Sequence, residues 1–377
     1  NESRVDVYEP HIRPCLDKLH ILYREVLLSE VDDFLTIENT IKNEIQIDKD
    51  RLEAESDEWN WSADYTSGTK SMSAALVIAA LYFEFDSLSY IAGERRQGRV
   101  LPGAERIQNL RLHRHYWRAI ESRLGLLADS GQFRAALDLL DSCERQEEIA
   151  TDYERWQLLL DLLYAWDVFD YKNAHKYMLA LKKLKLPDYI NSWIKKKELV
   201  LDDLTRNNTI PSLERIVDLY HNARRRLYEG KADDALSRLY RMMEMMAQHR
   251  IRKHFNLTDP KLPAKMLTPD LEKKFSECIK DGIFKGGIAK SLELLADVGD
   301  EFGRSLYTEY ASQKSRVRRL LDKRNFSCLA HGFLPITPED AKALAAELEI
   351  LLNAHFEGWK RYEDILTLVP LKGDIRS

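Results

Sequence analysis

The chain has 377 residues, a length that usually corresponds to two or three domains. Its 57 basic and 62 acidic residues leave a formal net charge of −5, so any contact with RNA or DNA must depend on a local basic patch. The 44% hydrophobic and 32% charged fractions are those of an ordinary folded chain and exclude a disordered one.

Cysteine usage and hydropathy predict the compartment. No secretory leader is visible, and the longest apolar run, about ten residues long, is too short to cross a bilayer. The four cysteines lie far apart and form no CxxC pair, which predicts reduced thiols and no zinc ribbon. We therefore expect a soluble, cytoplasmic protein. The cysteines are Cys15, Cys143, Cys278 and Cys328.

The first hundred residues alternate short extended segments with helices. Such alternation predicts a small, mainly parallel α/β sheet. Ligands of these sheets bind beyond the C-terminal ends of the strands. Strands are predicted at 25–30, 59–66, 87–94 and 98–103, and helices at 9–19 and 34–47.

The segment ADYTSGTKSMSAALVIAALYF, residues 63–83, predicts a strand, a loop and a helix in that order. Backbone N–H groups at the helix N-terminus then point into the loop, where they can donate to an anion or a polar ligand. The loop lacks the upstream glycine of a phosphate-binding P-loop, so we reject an NTPase. The loop residues are Thr66, Ser67, Gly68, Thr69 and Lys70.

From about residue 110 onward the pattern predicts helices alone. Helices are predicted to start within 131–137, 169–175 and 230–236, after Pro211-Ser212, and at Thr337-Pro338. A short strand is predicted at 364–370. These elements divide the chain into an α/β domain at 1–108, a helical linker at 109–210 and an all-α domain at 211–377.

SRVRRLLDKRNFSCLAHGFLPITPED, residues 315–340, predicts one helix followed by a turn, with Gly332 in the left-handed position at the helix end. An apolar stripe at helical spacing runs along this helix. The members of the stripe are Val317, Leu320, Leu321 and Cys328.

Arg324 and His331 are seven residues apart, about two helical turns, so both are predicted to lie on the face of this stripe. Burial of an unpaired guanidinium costs several kcal/mol, so the placement favours a cleft or a partner subunit. An arginine that neutralises a phosphate beside a histidine that moves a proton is a minimal phosphodiester-cleaving pair. On spacing alone, a hydrogen-bonded structural pair is the more common arrangement.

Two segments resemble known families. Arg324-Asn325 followed by His331-Gly332 resembles the HEPN ribonuclease motif, and ADYTSGTKSMSAAL resembles the Thr-Gly-Gly-Thr-Lys-x-Met segment of CARF domains, which are Rossmann-fold sensors. Residues 93–95 and 98–100 resemble the next part of the chain in one branch of the CARF family. The order, sensor before nuclease, resembles type III CRISPR ancillary ribonucleases of the CARF–HEPN class.

The resemblance implies that 1–108 is a Rossmann-like sensor for cyclic tetra- or hexa-adenylate and that 211–377 is an all-α HEPN domain. The loop residues 66–70 would form part of the ligand cradle, across the dyad of a homodimer. Serine at Ser67 replaces the commoner glycine, which alters the freedom of the loop backbone.

For the HEPN domain, the resemblance implies a composite site that cleaves single-stranded RNA without a metal or other cofactor. His331 would handle protons, Arg324 would offset charge on the phosphorane, and Asn325 would orient the pair. Attack by the ribose 2′-hydroxyl excludes DNA as a substrate. The apolar stripe would then be the seam of the dimer.

Other basic residues are candidates for guiding RNA. Arg318 and Arg319 share the predicted catalytic helix, whereas the clusters at 224–226 and 249–254 are expected to be solvated helix faces. Two alternatives stay open: a non-catalytic regulator whose HEPN-like domain serves dimerisation, and a sensor that cleaves its own activator.

Overall fold

The computed structural model describes residues 4–54, 59–96, 99–206, 210–311, 315–329, 332–366 and 368. The chain divides into two compact units, Asn1–Arg118 and Ala119–Ser377. The fold is mostly helical with small sheets, and none of the helices in the described ranges is long and apolar enough to cross a membrane.

The N-terminal unit contains helices and short strands. After a π-helix at Arg4–Ile12 come α1 (Arg13–Lys18), α2 (Phe34–Glu53), β1 (Ser62–Asp64), α3 (Lys70–Tyr82), β2 (Ser87–Ala92), β3 (Arg95–Arg96), β4 (Arg99–Val100), β5 (Arg106–Arg111) and the start of α4 (His113–Asp129).

A three-stranded sheet with the order β1-β2-β5 organises this unit. β1 and β2 are parallel, and β5 is antiparallel to β2. Helices α2 and α3 pack on one another, and α3 contacts β1. The small core beneath them consists of Ala63, Ala80, Phe85, Leu88 and Leu112.

The strand, loop and helix predicted at 63–83 are confirmed, as are the strand at 87–92 and the helix that begins at Phe34. The strand predicted at 25–30 is wrong: no strand is assigned there, and Val26 and Leu27 are 40% and 64% exposed. The sheet is mixed rather than mainly parallel because β5, which the sequence does not predict, adds an antiparallel edge. The Rossmann-like assignment therefore stays a prediction.

The C-terminal unit is a helical bundle with one small sheet. Its helices are the rest of α4, α5 (Phe133–Asp141), α6 (Ala150–Asp167), α7 (Tyr171–Leu181), α8 (Asp188–Arg206), α9 (Leu213–Tyr228), α10 (Ala232–His254), α11 (Pro269–Lys274), α12 (Ile288–Asp297), α13 (Glu301–Ala311), α14 (Arg316–Asn325), α15 (Pro338–His355) and α16 (Lys360–Leu366). The sheet, in the order β6-β8-β7, consists of β6 (Leu262–Pro263), β7 (Ile279–Lys280) and β8 (Ile283–Phe284). Single 3₁₀ turns occur at Glu147–Ile149, Ala264–Met266 and Ser276–Cys278.

Cap residues explain where several of these helices begin. The Ser212 hydroxyl accepts from the backbone N–H of Arg215 at 3.4 Å, and the Thr337 hydroxyl accepts from that of Asp340 at 3.2 Å. Each cap satisfies a donor that a helix N-terminus leaves unpaired. The starts predicted at Pro211-Ser212 and Thr337-Pro338 are confirmed, as are those within 131–137, 169–175 and 230–236. The boundary at 210 stays a prediction.

The single helix predicted from 315 towards His331 is wrong, because α14 ends at Asn325. The backbone N–H of Phe326 closes the last turn, and the chain then turns back, with a parallel bridge between Ser327 and Leu334. The strand predicted at 364–370 is also wrong where the structure describes it, since Leu366 ends α16. Residue 367 and residues 369 and 370 lie outside the described residues.

Candidate functional sites

The loop between β1 and α3 is fixed by two threonines. The Thr66 hydroxyl accepts from the Ile91 backbone N–H at 2.9 Å, which ties the loop to β2. The Thr69 hydroxyl donates to the Val31 carbonyl at 2.7 Å and accepts from the Met72 backbone N–H at 3.2 Å. Both hydroxyls therefore shape the loop rather than stand ready for a ligand.

The remaining loop residues face solvent. Gly68 has φ +103°, a conformation that favours glycine, and a Cβ at this position would lie 3.1 Å from the Cβ of Met72. Ser67 and Lys70 are at the surface, and within the described residues the backbone N–H groups of Ser67, Gly68 and Lys70 donate to no protein acceptor. These groups and the lysine ammonium suit a phosphate or a ribose oxygen.

Asp64, at the end of β1, adds a negative charge beside the loop. Burial opposes ionisation of this carboxyl, but hydrogen bonds from Thr66 and Ser89 outweigh burial and lower its pKa. An ionised carboxylate repels phosphate and accepts from donors such as a ribose hydroxyl or an adenine amine. The loop thus presents donors from its backbone and an acceptor at its edge, a pattern that matches a nucleotide better than a simple anion.

The second candidate site lies at the end of α14. Arg324 and Asn325 are half-buried, and the Arg324 Nη1 donates to the Asn325 Oδ1 at 3.4 Å. The guanidinium carbon of Arg324 lies 4.4 Å from the centroid of the Tyr240 ring in α10. Among the described residues no carboxylate pairs with this guanidinium, and its buried Nε has no acceptor. Tyr240 is a neighbour that the sequence does not predict, because it belongs to another helix.

His331, the third residue of the predicted site, lies outside the described residues together with Ala330. The helical alignment expected for Arg324 and His331 is wrong, because α14 stops at Asn325. Gly332 is not in the left-handed region; instead it packs so closely that a Cβ would lie 2.1 Å from the Phe326 carbonyl oxygen. The glycine is needed for this close approach and not for a helix cap.

The apolar stripe of α14 does not form an exposed seam. Val317, Leu320 and Leu321 are at most 6% exposed and belong to the core of their own unit. Cys328, the fourth predicted member, lies beyond the end of the helix and is exposed. Exposed apolar side chains instead occur in the segment that follows Asn325. We call these four side chains the apolar rim: Phe326 (58% exposed), Leu329 (56%), Phe333 (91%) and Leu334 (58%).

The two arginines proposed to guide RNA differ in their surroundings. Arg318 Nε lies 3.7 Å from Asp322 Oδ2 on the next turn of α14. Arg319 is exposed, and no described acidic residue pairs with it. Arg319 is therefore the more available of the two for a phosphate.

The prediction that the clusters at 224–226 and 249–254 are solvated faces is wrong for three of their arginines. Arg225 and Arg226 donate to the two carboxylate oxygens of Asp167 at 2.7 and 2.6 Å, and the Arg225 side chain is 9% exposed. Arg250 pairs with Asp300 at 2.6 Å. These ion pairs hold separate elements together, because each joins residues far apart in the chain.

No metal centre emerges in the described ranges, where no group of three or more histidine, cysteine or acidic side chains is arranged to hold an ion.

The helical unit carries an arginine and a polar residue at the end of α14, and in the sequence a histidine follows six residues after the polar one, which is the residue pattern of the HEPN motif. Residues 205–355 match the profile of the Csm6 HEPN domain family. The matched range contains Arg324, Asn325 and His331 as well as Tyr240. No curated protein matches the chain at a significant level.

Among solved structures, the chain is similar to Csm6 of Enterococcus italicus bound to cyclic hexa-2′-fluoro-hexa-dAMP. The two are 14% identical, the match covers 91% of this chain and 82% of that chain, and the TM-score is 0.55. At this identity the likeness establishes the fold. Together, the two matches support the prediction of a type III CRISPR-associated CARF–HEPN protein.

Proposed function

We propose that the protein is an endoribonuclease that cyclic oligoadenylate activates. The observation that carries this proposal is the environment of the Arg324 guanidinium. It lies half-buried beside Asn325 and has no carboxylate partner among the described residues. Arg324 also lies inside the range that matches the Csm6 HEPN domain. A half-buried cation without a counter-ion is a binding site for an anion, and the phosphate of RNA is such an anion.

The reaction we assign is attack by a ribose 2′-oxygen on the adjacent phosphorus. The 2′-oxygen–phosphorus bond forms and the bond from phosphorus to the 5′-oxygen breaks, which leaves a 2′,3′-cyclic phosphate and a 5′-hydroxyl. His331 takes the proton from the 2′-hydroxyl or supplies one to the leaving 5′-oxygen. Arg324 offsets the charge on the phosphorane, and Asn325 orients the guanidinium through its Oδ1.

We propose further that the active form is a homodimer. The apolar rim exposes four large side chains within the motif and directly after it, and clusters of this kind often mark interfaces between subunits. A second copy would cover the rim and bring a second Arg324 and His331 to one composite site.

The loop at 66–70 is proposed to bind the activator. The solved Csm6 structure that the chain resembles contains a cyclic hexanucleotide analogue. In this chain the backbone N–H groups of Ser67 and Gly68 and the Lys70 ammonium would donate to phosphate or ribose oxygens, and the Asp64 carboxylate would accept from a hydroxyl or an amine.

The experiment is cleavage of a fluorescent single-stranded RNA by the purified protein in EDTA, with no activator, with cyclic tetra-adenylate or with cyclic hexa-adenylate. We expect cleavage with one of the two rings, 2′,3′-cyclic phosphate ends on the products, and no cleavage by His331→Ala. Tight binding of a ring without any cleavage would overturn the catalytic assignment and leave a non-catalytic sensor.

A further inference from the structure

The Tyr240 ring is the group that holds the Arg324 guanidinium from the side of α10. The distance from the guanidinium carbon to the ring centroid is 4.4 Å, within the range of a cation–π contact. The Asn325 Oδ1 accepts from Nη1 of the same guanidinium at 3.4 Å. Both neighbours are uncharged.

Elsewhere in the same unit, three arginines that leave the surface are held by acids. Arg225 and Arg226 share Asp167, and Arg250 binds Asp300 through more than one nitrogen. A carboxylate fixes a guanidinium but also cancels its charge, so a second anion gains little by approaching it. An aromatic ring attracts the cation through its quadrupole and leaves the net charge unchanged.

We propose that Tyr240 is a positioning residue that holds Arg324 for a substrate phosphate without neutralising it. This inference rests on the proposed ribonuclease function and adds a residue outside the recognised motif. Tyr240 does not touch the reacting atoms itself. It fixes the direction in which the guanidinium faces, and displacement of a positioned group by about 1 Å can cost roughly a hundredfold in rate.

The surroundings of Tyr240 suit this role. Its neighbours Leu239 and Met243 in α10 are fully buried, so the helix that carries the ring is anchored in the core. Burial, together with the nearby Glu244, raises the pKa of the Tyr240 phenol, which keeps the ring neutral at physiological pH. The buried Nε of Arg324 has no acceptor among the described residues, so the guanidinium retains a spare donor.

The test compares four substitutions at one position by the kcat and KM of activator-dependent RNA cleavage. Tyr240→Phe keeps the ring and should retain most of kcat. Tyr240→Leu removes the cation–π contact and should lower kcat by about tenfold or more, with a smaller change in KM. Tyr240→Glu should hold the arginine and cancel its charge, so its kcat should lie at least about tenfold below that of the neutral Tyr240→Gln.

A matched control is offered by Tyr153 in α6, whose ring centroid lies 5.7 Å from the Arg145 guanidinium. Tyr153→Leu removes a ring under an arginine outside the region of the motif, and it should leave kcat unchanged. Thermal melting of every variant separates lost rate from lost folding. If Tyr240→Leu does not fold, the Tyr240→Glu and Tyr240→Gln pair still decides the question.

Each outcome has one interpretation. Equal kcat values for Tyr240→Glu and Tyr240→Gln, or wild-type kcat for Tyr240→Leu, would overturn the positioning role while the ribonuclease assignment stands. A loss in Tyr240→Phe as large as in Tyr240→Leu would assign the effect to the phenol oxygen and would also overturn it. Failure of the wild-type protein to cleave RNA with either ring would overturn the proposed function and this inference with it.

Discussion

Two clusters of the C-terminal unit bury arginines, and they do so in opposite ways. At the junction of α6 and α9, Asp167 accepts from Arg225, Arg226 and Asn222. At the end of α14, Arg324 has a ring and an amide oxygen for neighbours and no acid among the described residues. The first cluster balances its charge internally, whereas the second leaves a positive charge to be balanced from outside.

This difference separates a structural arginine from a candidate functional one. A buried guanidinium with a carboxylate stabilises a fold only while both partners remain. A partly buried guanidinium held by neutral groups lowers the stability of the free protein. Binding of an anion to the guanidinium restores that stability. The direct test of the comparison is therefore to replace the acid of the first cluster by an amide and the amide of the second cluster by an acid.

Asp167→Asn should have the largest effect. The substitution leaves Arg225 and Arg226 buried without this counter-ion, and loss of one partner from a buried pair costs about 3–5 kcal/mol. Chemical denaturation monitored by circular dichroism would measure the free energy of unfolding. A change within about 1 kcal/mol, on the order of a surface substitution, would show that Asp167 does not hold the two helices together.

Asn325→Asp makes the opposite exchange. The new carboxylate would pair with Arg324 and repel the substrate phosphate, so we expect RNA cleavage to fall by about a hundredfold while the free energy of unfolding is kept or slightly raised. Activator-dependent cleavage and thermal melting are measured on the same preparation. Asn325→Ala, which removes the amide without adding charge, is the control and should lose less activity.

His221 tests how much positive charge the buried cluster tolerates. Burial, with Arg224, Arg225 and Lys197 nearby, lowers its pKa to about 3. The unfolded chain takes up a proton near the ordinary pKa of about 6.5 and the folded chain does not, so the stabilisation is complete above about pH 6.5 and is lost as the pH falls towards about 3. Below about pH 6.5 this histidine alone should remove about 1.4 kcal/mol per pH unit.

His221→Phe is the comparison for this pH dependence, because it keeps a ring against Tyr220, whose centroid lies 5.8 Å away. Denaturant midpoints measured at about pH 7 and about pH 5.5 should show a smaller loss of stability for the variant than for the wild-type protein. Equal losses in the two proteins would mean that His221 is charged in the folded state.

The smallest effect is expected from the arginines on the surface of α14. Arg319 has no acidic partner among the described residues, whereas Arg318 lies near Asp322. Arg319→Ala should weaken RNA binding and reduce its salt dependence by about one unit of slope, with Arg318→Ala changing both less. Fluorescence anisotropy at several salt concentrations, on a His331→Ala background, measures this. The reverse order would place the RNA path on the other side of α14.

Local chemistry accounts for the features that the sequence predicts correctly. The loop at 66–70 depends on a glycine with positive φ and on a threonine cap, and both act within a few residues. The starts of α9 and α15 depend on cap residues in the same way. Arg324 and Asn325 lie within the helix that the sequence predicts from residue 315, and the family match covers them.

The missed features depend on partners far away in the chain. β5 is exposed along its whole length, so it lacks the alternation of apolar and polar residues that marks a half-buried strand. Asp167 lies 58 residues from Arg225, and Tyr240 belongs to a helix other than that of Arg324. The end of α14 escapes prediction because apolar residues continue beyond Asn325, and the turn there depends on the backbone hydrogen bond that Leu334 donates to Phe326.

The junction of Asp167 with Arg225 and Arg226 has a consequence for dissection of the protein into fragments. Residues 211–377 would be an obvious choice for an isolated domain fragment, since Ser212 caps a helix and the family match begins at 205. Such a fragment would retain both arginines and lose the Asp167 carboxylate that they share, and the Lys197 ammonium that donates to the Ile365 carbonyl would be removed as well. A fragment of the HEPN domain intended for expression should therefore begin before α6 rather than at Pro211.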